Sequence, residues 1–526
     1  MPAASTGAAD TVDWWTLAAR GRLLSVIAPG RKGYVTAPEG EAQPGSSGSA
    51  VTDSGERPQA GEVSRNLRWS FLGSIYGRVS SVVAGVVLAR LLMPTQYGHF
   101  AIALFVLQIL LTVNDGGIAY LLMRKTGDIS KLAPTAVSVV LISSVSLYVA
   151  VALVANPLAT ALGDPAAASL IRVLCLALVV DGTFAVPAAL LTRSFLSHKR
   201  AIADLVGFTV TPLVSVLLAA LGYGAVSLAW GWVVGAFTNG LLILLLSPRL
   251  HLPGWNVSAA RMLLHEGPGI VGAGLLSVVV LNVDYVVVGR TLGVEQLGLY
   301  QLAFNLSSLP IAIFSSAIRQ VSIPGFAQVS KDAALVKKLL LRSISGLGLA
   351  VMPVCVVMAA FAVPGISIVY GHKWVDAAPA LRWLALLALL RVIMELAADF
   401  LVALSRVRGL VAIRVLWVVL LIPVLAAGAE IDGIRGVAIG HLVVAGGVIL
   451  PMFLLSIRSV GIPLFAWVKA FLPGAGLAVV LAVASGLLVA ALPNAVAELL
   501  AGTVLVVATY GVVFVLNRRL SVDMNV

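Results

Sequence analysis

Residues Leu275–Pro310 read LLSVVVLNVDYVVVGRTLGVEQLGLYQLAFNLSSLP, one apolar run that ends at Arg290 and a second that opens at Gly298. The same layout occurs 200 positions earlier, in Ser80–Leu104, SSVVAGVVLARLLMPTQYGHFAIAL. Arg90 corresponds to Arg290, Leu92 to Leu292, Gly98 to Gly298, Phe100 to Tyr300 and Ala103 to Ala303. An echo over that distance marks a duplicated bundle, because solenoid periods are far shorter, roughly 20–50 residues. The copies differ in one respect: where the first has Ala84, the second has Asp284, ringed by apolar residues and accompanied by Asn282. A carboxylate inside a membrane span costs roughly 2.5–3.5 kcal/mol on insertion scales, so it faces a bundle interior or an aqueous cavity. Asp284 is therefore a candidate functional residue.

Composition makes the membrane the relevant solvent. Apolar residues are 60% of the chain, charged residues 11%, and the mean hydropathy is +1.03, outside the range of soluble globular chains. Runs of about 20 apolar residues, long enough to cross a hydrocarbon core of about 30 Å, recur after residue 66. They must be helices, since isolated strands leave their backbone unsatisfied in lipid. The expected fold is an all-α polytopic membrane protein. Residues 1–65, rich in Ala, Gly, Pro and Ser, read as a disordered tail, and Trp14–Ile27 is too interrupted by Arg20, Gly21 and Arg22 for a signal-peptide core. Cys175 and Cys355 lie inside apolar runs with no metal spacing and read as packing residues. No cofactor or metal is implied.

About fourteen helices are predicted. Six fall in a first lobe, residues 66–248, at 70–92, 97–121, 134–155, 167–191, 202–221 and 225–247. Six repeat the pattern in a second lobe, residues 249–462, at 267–292, 297–318, 344–370, 379–404, 410–428 and 434–456. Two more, 470–492 and 498–516 within residues 463–526, have no counterpart. An even number of spans per half makes the repeats parallel, related by an axis along the membrane normal.

The net charge of +12 marks one membrane face rather than a nucleic-acid partner. Arg65 and Arg68, Arg124, Lys125 and Lys131, Arg193, Lys199 and Arg200, and Arg249 and Arg261 all fall on the same side. So do Arg319 through Arg342, Arg406 through Arg414, Arg458 and Lys469, and Arg518 and Arg519, while the opposite loops carry little beyond Lys373 and Arg435. The positive-inside rule then predicts a multi-pass membrane protein with both termini in the cytoplasm.

Charges within spans are the candidate site residues. Arg78 shares a helix face with Ser74, Ser81 and Gly85, and its guanidinium suits phosphate oxygens; the bland alternative is snorkelling, over roughly 15 Å from Arg68. Arg391, Glu395 and Asp399 recur every four residues and form one stripe. The stripe is either a self-neutralising ladder or a site, with Arg391 for a headgroup and Glu395 or Asp399 for proton or cation coupling. Asp115, followed by Gly116 and Gly117, either pairs with Arg78 or couples ions. Arg90 and Arg290 end their helices and read as snorkelling residues.

LARLLMPTQYGHFAIA, DGGIAYLLMRK, NVDYVVVGRTLGVEQLGLYQLAFNLSSLP and SIPGFAQVSKD resemble the polysaccharide exporters of the multidrug/oligosaccharidyl-lipid/polysaccharide flippase superfamily. The likeness covers about residues 66–456 and is nearest to the lipopolysaccharide, colanic-acid and exopolysaccharide exporter branch. It implies two six-helix lobes around a central cavity, alternating access, and a lipid-linked oligosaccharide on polyprenyl diphosphate as substrate. It also implies a groove for the lipid tail formed with the two last helices. Arg78 and Arg391 would suit the diphosphate, and Asp284, Asp115, Glu395 and Asp399 would suit coupling to a proton or sodium. A polysaccharide polymerase or glycosyltransferase is the expected partner.

Two alternatives remain open at this point. A multidrug or organic-cation antiporter of the same superfamily predicts a cavity of carboxylates and aromatics rather than arginines. A membrane polymerase or glycosyltransferase needs a sizeable outer loop or an acidic metal motif, for which Glu430 and Asp432 are the faint candidate. The chain has no GxxxxGK[ST] phosphate loop for ATP hydrolysis.

Overall fold

The computed structural model describes residues 60–115, 118, 121–122, 132–193, 197–247, 252–329, 333–403, 407–458 and 463–523. The expected N-terminal tail falls almost wholly outside these residues, as do Arg124, Lys125, Lys131, Lys331 and Arg406. All described elements are helical. The first half contains α1 (Ala60–Leu91), α2 (Pro94–Asp115), α3 (Leu132–Ala161), α4 (Ala167–Leu174), α5 (Leu176–Arg193), α6 (Ser197–Ala220) and α7 (Val226–Leu246). The second contains α8 (Val257–Thr291), α9 (Val294–Val329), α10 (Ala333–Ala360), α11 (Ala362–Val369), α12 (Ala378–Ala403), α13 (Val407–Val444) and α14 (Leu450–Arg458), followed by α15 (Leu464–Ala491) and α16 (Ala495–Asp523).

Ten stretches among the described residues are long and apolar enough to cross a membrane. One of them, Gly409–Arg458, folds back on itself, because Asp432 and Gly433 leave helical geometry inside α13, with Gly433 at φ +56°. A side chain is strained at that φ, so glycine makes the hairpin. Gly428 and Gly436 then let its two arms touch: a Cβ on Gly436 would stand 1.9 Å from the Gly428 carbonyl oxygen. Asp432 pairs with Arg435 at 3.4 Å across this turn, so the acid weighed as half of a metal motif is a turn residue. α12 is not among the ten, as Arg382, Arg391, Glu395 and Asp399 all lie on it.

Small residues bring helices together where lipid supplies no hydrophobic drive between them. α6 and α7 meet where a Cβ on Gly231 or Gly235 would stand 1.8 Å from Ser215 Oγ or Thr211 Oγ1. Large apolar side chains such as Leu153, Leu213, Leu245 and Leu487 point outward, as a lipid-facing surface requires. Cys175 and Cys355 are buried and unbridged.

The two halves are joined by a reciprocal contact that follows the sequence echo. α2 starts at Pro94 and α9 at Val294. A Cβ on Gly98 would stand 2.0 Å from the Val294 carbonyl oxygen, and one on Gly298 would stand 1.8 Å from that of Pro94. Each helix start therefore seats on the glycine of the other repeat. Nearby, two helix ends cap each other, which matters because the last carbonyls of a helix lack intrahelical partners. Trp374 Nε1 donates to Ala89 O at 2.8 Å and Lys373 Nζ to Arg90 O at 3.0 Å, both at the end of α1. Arg90 in return donates through Nε to Val369 O at 3.0 Å and through Nη2 to Ile368 O, at the end of α11. Arg90, read as a snorkelling residue, is thus an interhelix cap; Arg290 is exposed. Away from this clasp, the connection between the halves is pinned to α3: Ser138 Oγ donates to Gly254 O at 2.8 Å and Asn256 N–H to Thr135 Oγ1 at 3.1 Å.

Candidate functional site

α8 has one acidic side chain in its apolar stretch, and the fold closes three other helices over it. Asp284 is fully buried. Its Oδ1 accepts from the Tyr285 N–H at 3.0 Å and its Oδ2 from the Tyr300 hydroxyl of α9 at 2.9 Å. Tyr300 is the residue whose counterpart in the first repeat is Phe100, so the second copy has both an acid and a hydroxyl to bind it where the first has neither. Tyr285, Tyr300 and Phe304 pack as an aromatic cluster with ring centroids 5.7–6.3 Å apart.

α12 brings its stripe to this cluster. The Arg391 guanidinium lies over the Phe304 ring, 5.1 Å from its centroid, a cation–π arrangement that favours a charge kept from water. It is near enough to Asp284 and Glu395 for its charge to act on both. Further along α12, Asp399 lies within electrostatic reach of Arg414 on α13, whose Nη1 donates to Ser277 Oγ of α8 at 2.5 Å. The stripe is therefore not confined to its own helix: its charges, each half-buried, interleave with those of α8 and α13. α13 also supplies His441, 2% exposed, with Nδ1 4.0 Å from Asp284 Oδ2. The Trp417 ring stands edge-on to the imidazole at 6.5 Å.

Arg78 is half-buried elsewhere, in α1. Its neighbours along the helix set the contact with α6: Tyr76 OH shares a hydrogen bond with Thr209 Oγ1 at 2.9 Å, Ser80 Oγ donates to Phe208 O at 3.0 Å, and Gly77 leaves room for the Phe208 ring. Asp115 ends α2, and its side chain lies outside the described residues. Its neighbour Asn114 is buried with neither amide atom partnered among the described residues, a polar group inside the bundle that sequence reading passed over.

Tyr300, Trp417 and His441 were also not legible as site residues. A histidine within an apolar span is itself a signal, and an ionisable group at such a place is a functional candidate by default. No cluster of three or more potential metal ligands occurs among the described residues.

A family model described as polysaccharide biosynthesis protein matches residues 87–379, more than half of the sequence. The succinoglycan biosynthesis transport protein ExoT of Rhizobium meliloti is 27% identical over 483 residues, 87% of this chain and 93% of ExoT. The lipopolysaccharide biosynthesis protein WzxC of Escherichia coli is 26% identical over 384 residues, 72% of this chain and 77% of WzxC. Among solved structures, the lipid II flippase MurJ in an inward closed conformation superposes with a TM-score of 0.68 at 14% identity, covering 86% of this chain and 98% of MurJ. A multidrug resistance MATE family transporter of the MOP superfamily, inward-facing, gives 0.55 at 17% identity, covering 77% and 95%. At these identities the solved structures speak to the fold.

Proposed function

The chain belongs to the polysaccharide biosynthesis protein family, and from that premise we propose that it is a transporter, not an enzyme, that moves polyprenyl-diphosphate-linked oligosaccharide across the plasma (inner) membrane by alternating access. The names of ExoT and WzxC support the substrate class. The observation that carries the mechanism is the reciprocal seating of Gly98 on Val294 and Gly298 on Pro94. A contact exchanged between repeats in the same direction supports two parallel lobes, residues 66–248 and 249–462, that rock about a shared axis.

Fourteen crossings are the count this reading uses: the ten apolar stretches with Gly409–Arg458 counted twice, together with α1, α9 and α12. Both termini then face the cytoplasm, and the clasp of Arg90 and Trp374 closes the outer end. Arg78 and Arg391 take the diphosphate, whose negative charge requires fixed positive charge along an apolar path. Asp284, with Asp115, Glu395 and Asp399, couples lobe closure to an ion. Arg391 links the two tasks, because its charge is held by Asp284 and Glu395 until one of them is neutralised. The natural partner is the polymerase or glycosyltransferase that uses the same lipid carrier.

The test is reconstitution. Proteoliposomes holding the purified protein and a fluorescent short-chain polyprenyl diphosphate oligosaccharide should expose the label to an outside quencher faster than protein-free vesicles. Arg78→Lys should slow this, since Lys keeps charge but loses the planar fork. Transport of organic cations without flipping of the lipid would replace this reading by the antiporter.

A further inference from the structure

His441 is buried beside Asp284, and its Nδ1 has no hydrogen-bond partner among the described residues. The indole Nε1 of Trp417, whose ring stands edge-on to the imidazole, is likewise buried without a partner among the described residues. An unpartnered buried polar group costs about 1–3 kcal/mol, and such a cost is retained where it serves function. The helix changes form directly after His441: Ala445–Ile449 is a π turn, an insertion that occurs frequently at functional sites. Gly446 in that turn packs toward Leu390, the residue before Arg391.

We propose that Asp284 and His441 form a proton-binding pair, so that the ion coupled at this site is H⁺. The proposal rests on the reading of Asp284 as a coupling group and names the ion and its second holder. The proton binds His441 Nδ1 to give an imidazolium that donates to the Asp284 Oδ2 carboxylate, so that the pair is neutral as a whole; release reverses the step. Closing the 4.0 Å gap to ordinary hydrogen-bond distance takes about 1 Å. The groups that face the pair are Tyr285 from α8, Tyr300 from α9, Trp417 from α13 and Arg391 from α12, with Glu395 beside Arg391.

A sodium site would need a different environment. Sodium is held by carboxylate, carbonyl and water oxygens, in transporters often where a helix is unwound. Here α8 runs without a break from Val257 to Thr291, so its own helix offers Asp284 no unwound carbonyls. The permanent charge of Arg391 opposes any second cation, an imidazolium included, but a proton needs only a base and an acceptor and no shell of oxygen ligands. Carboxylate and histidine chains inside bundles serve as proton relays for that reason. Neutralising Asp284 also releases Arg391, which converts proton uptake into a free guanidinium.

The full-length protein in nanodiscs provides the test, because an imidazolium quenches an adjacent indole. Fluorescence is titrated with pH at fixed Na⁺, and with Na⁺ at fixed pH, in the wild type, His441→Gln and Trp417→Phe. Lobe separation is read in parallel from spin labels, with Asp284→Asn added. The expected result is a pH-dependent quench, indifferent to Na⁺, that is lost in both His441→Gln and Trp417→Phe, with lobe separation following pH in the wild type but not in Asp284→Asn. A wild-type response to Na⁺ and not to pH, abolished by Asp284→Asn, overturns the proton and leaves Asp284 as the coupling group. Lobe separation that responds to ions equally in the wild type and Asp284→Asn overturns the coupling reading itself. The wild-type titrations decide between ions even if a variant fails to fold.

Discussion

Replacing Trp374 with phenylalanine removes one indole N–H from a site with no exposure while keeping most of the ring volume. Trp374 Nε1 serves Ala89 O, one of the carbonyls that α1 cannot satisfy within itself. Its loss leaves that carbonyl unpaired in a buried place, a cost of about 1–3 kcal/mol. The edge-to-face packing of the ring on Tyr97, 5.0 Å between centroids, survives in part. Because the bond joins the two halves, the cost falls on the clasped state and not on a state in which the ends of α1 and α11 separate. The clasped population should therefore drop by a factor of about 5–150 relative to the separated one. Arg90 and Lys373 are more exposed and contribute less to this balance. Spin labels at the exposed positions Met93 and Val363 report it by pulsed electron spin resonance. Trp374→Phe should add or enlarge a long-distance component. A folded variant with an unchanged distance distribution would refute the argument that this bond holds the ends together.

Gly98→Ala and Gly298→Ala each insert a methyl group into backbone and should cost about 1–3 kcal/mol in thermal stability. The double variant should cost less than the sum, since both load the same crossing; full additivity would show that the contacts are independent. Arg414→Gln loses a charged hydrogen bond to Ser277 and should lower stability by about 1.5–3 kcal/mol, with Arg414→Lys intermediate; a change within error would mean the bond is replaced by solvent. For topology, a cysteine at Leu252 should react with a membrane-impermeant maleimide only after permeabilisation and one at Tyr223 in intact cells. The reverse pattern would invert the orientation.

The helices were legible because apolar runs of membrane-crossing length have few other folds to adopt, and the structure moves their ends mainly by extending them. α8 begins at Val257, ten residues before the predicted start, because Asn256 accepts from the N–H groups of Ser258 and Ala259 and caps it there. The echo aligned Gly98 with Gly298, but did not foretell that each would seat on the other repeat. Asp284 was legible from an asymmetry between copies. Its partners were not: Tyr300 reads as one more aromatic in an apolar run, and His441 lies more than 150 residues away. Pairings between helices depend on rotation and packing angle, which local periodicity leaves open. Arg414 had been grouped with the basic loop charges, yet it reaches Ser277 and Asp399 within the bundle.

The glycine crossing also sets a lever. Points near a pivot move little when two rigid bodies turn against each other, and displacement grows with distance from it. While the clasp at Arg90 and Trp374 holds, the backbones of α2 and α9 can roll on Gly98 and Gly298, and a turn of about 15°, a typical angle for subunit rotation, carries groups at the far side of a core of about 30 Å through about 8 Å. That is ample for a phosphate group at the far end, while the crossing itself shifts by less than a bond length. Bulky residues are tolerable almost anywhere along such arms except at the fulcrum, where the sequence twice places a residue with no side chain.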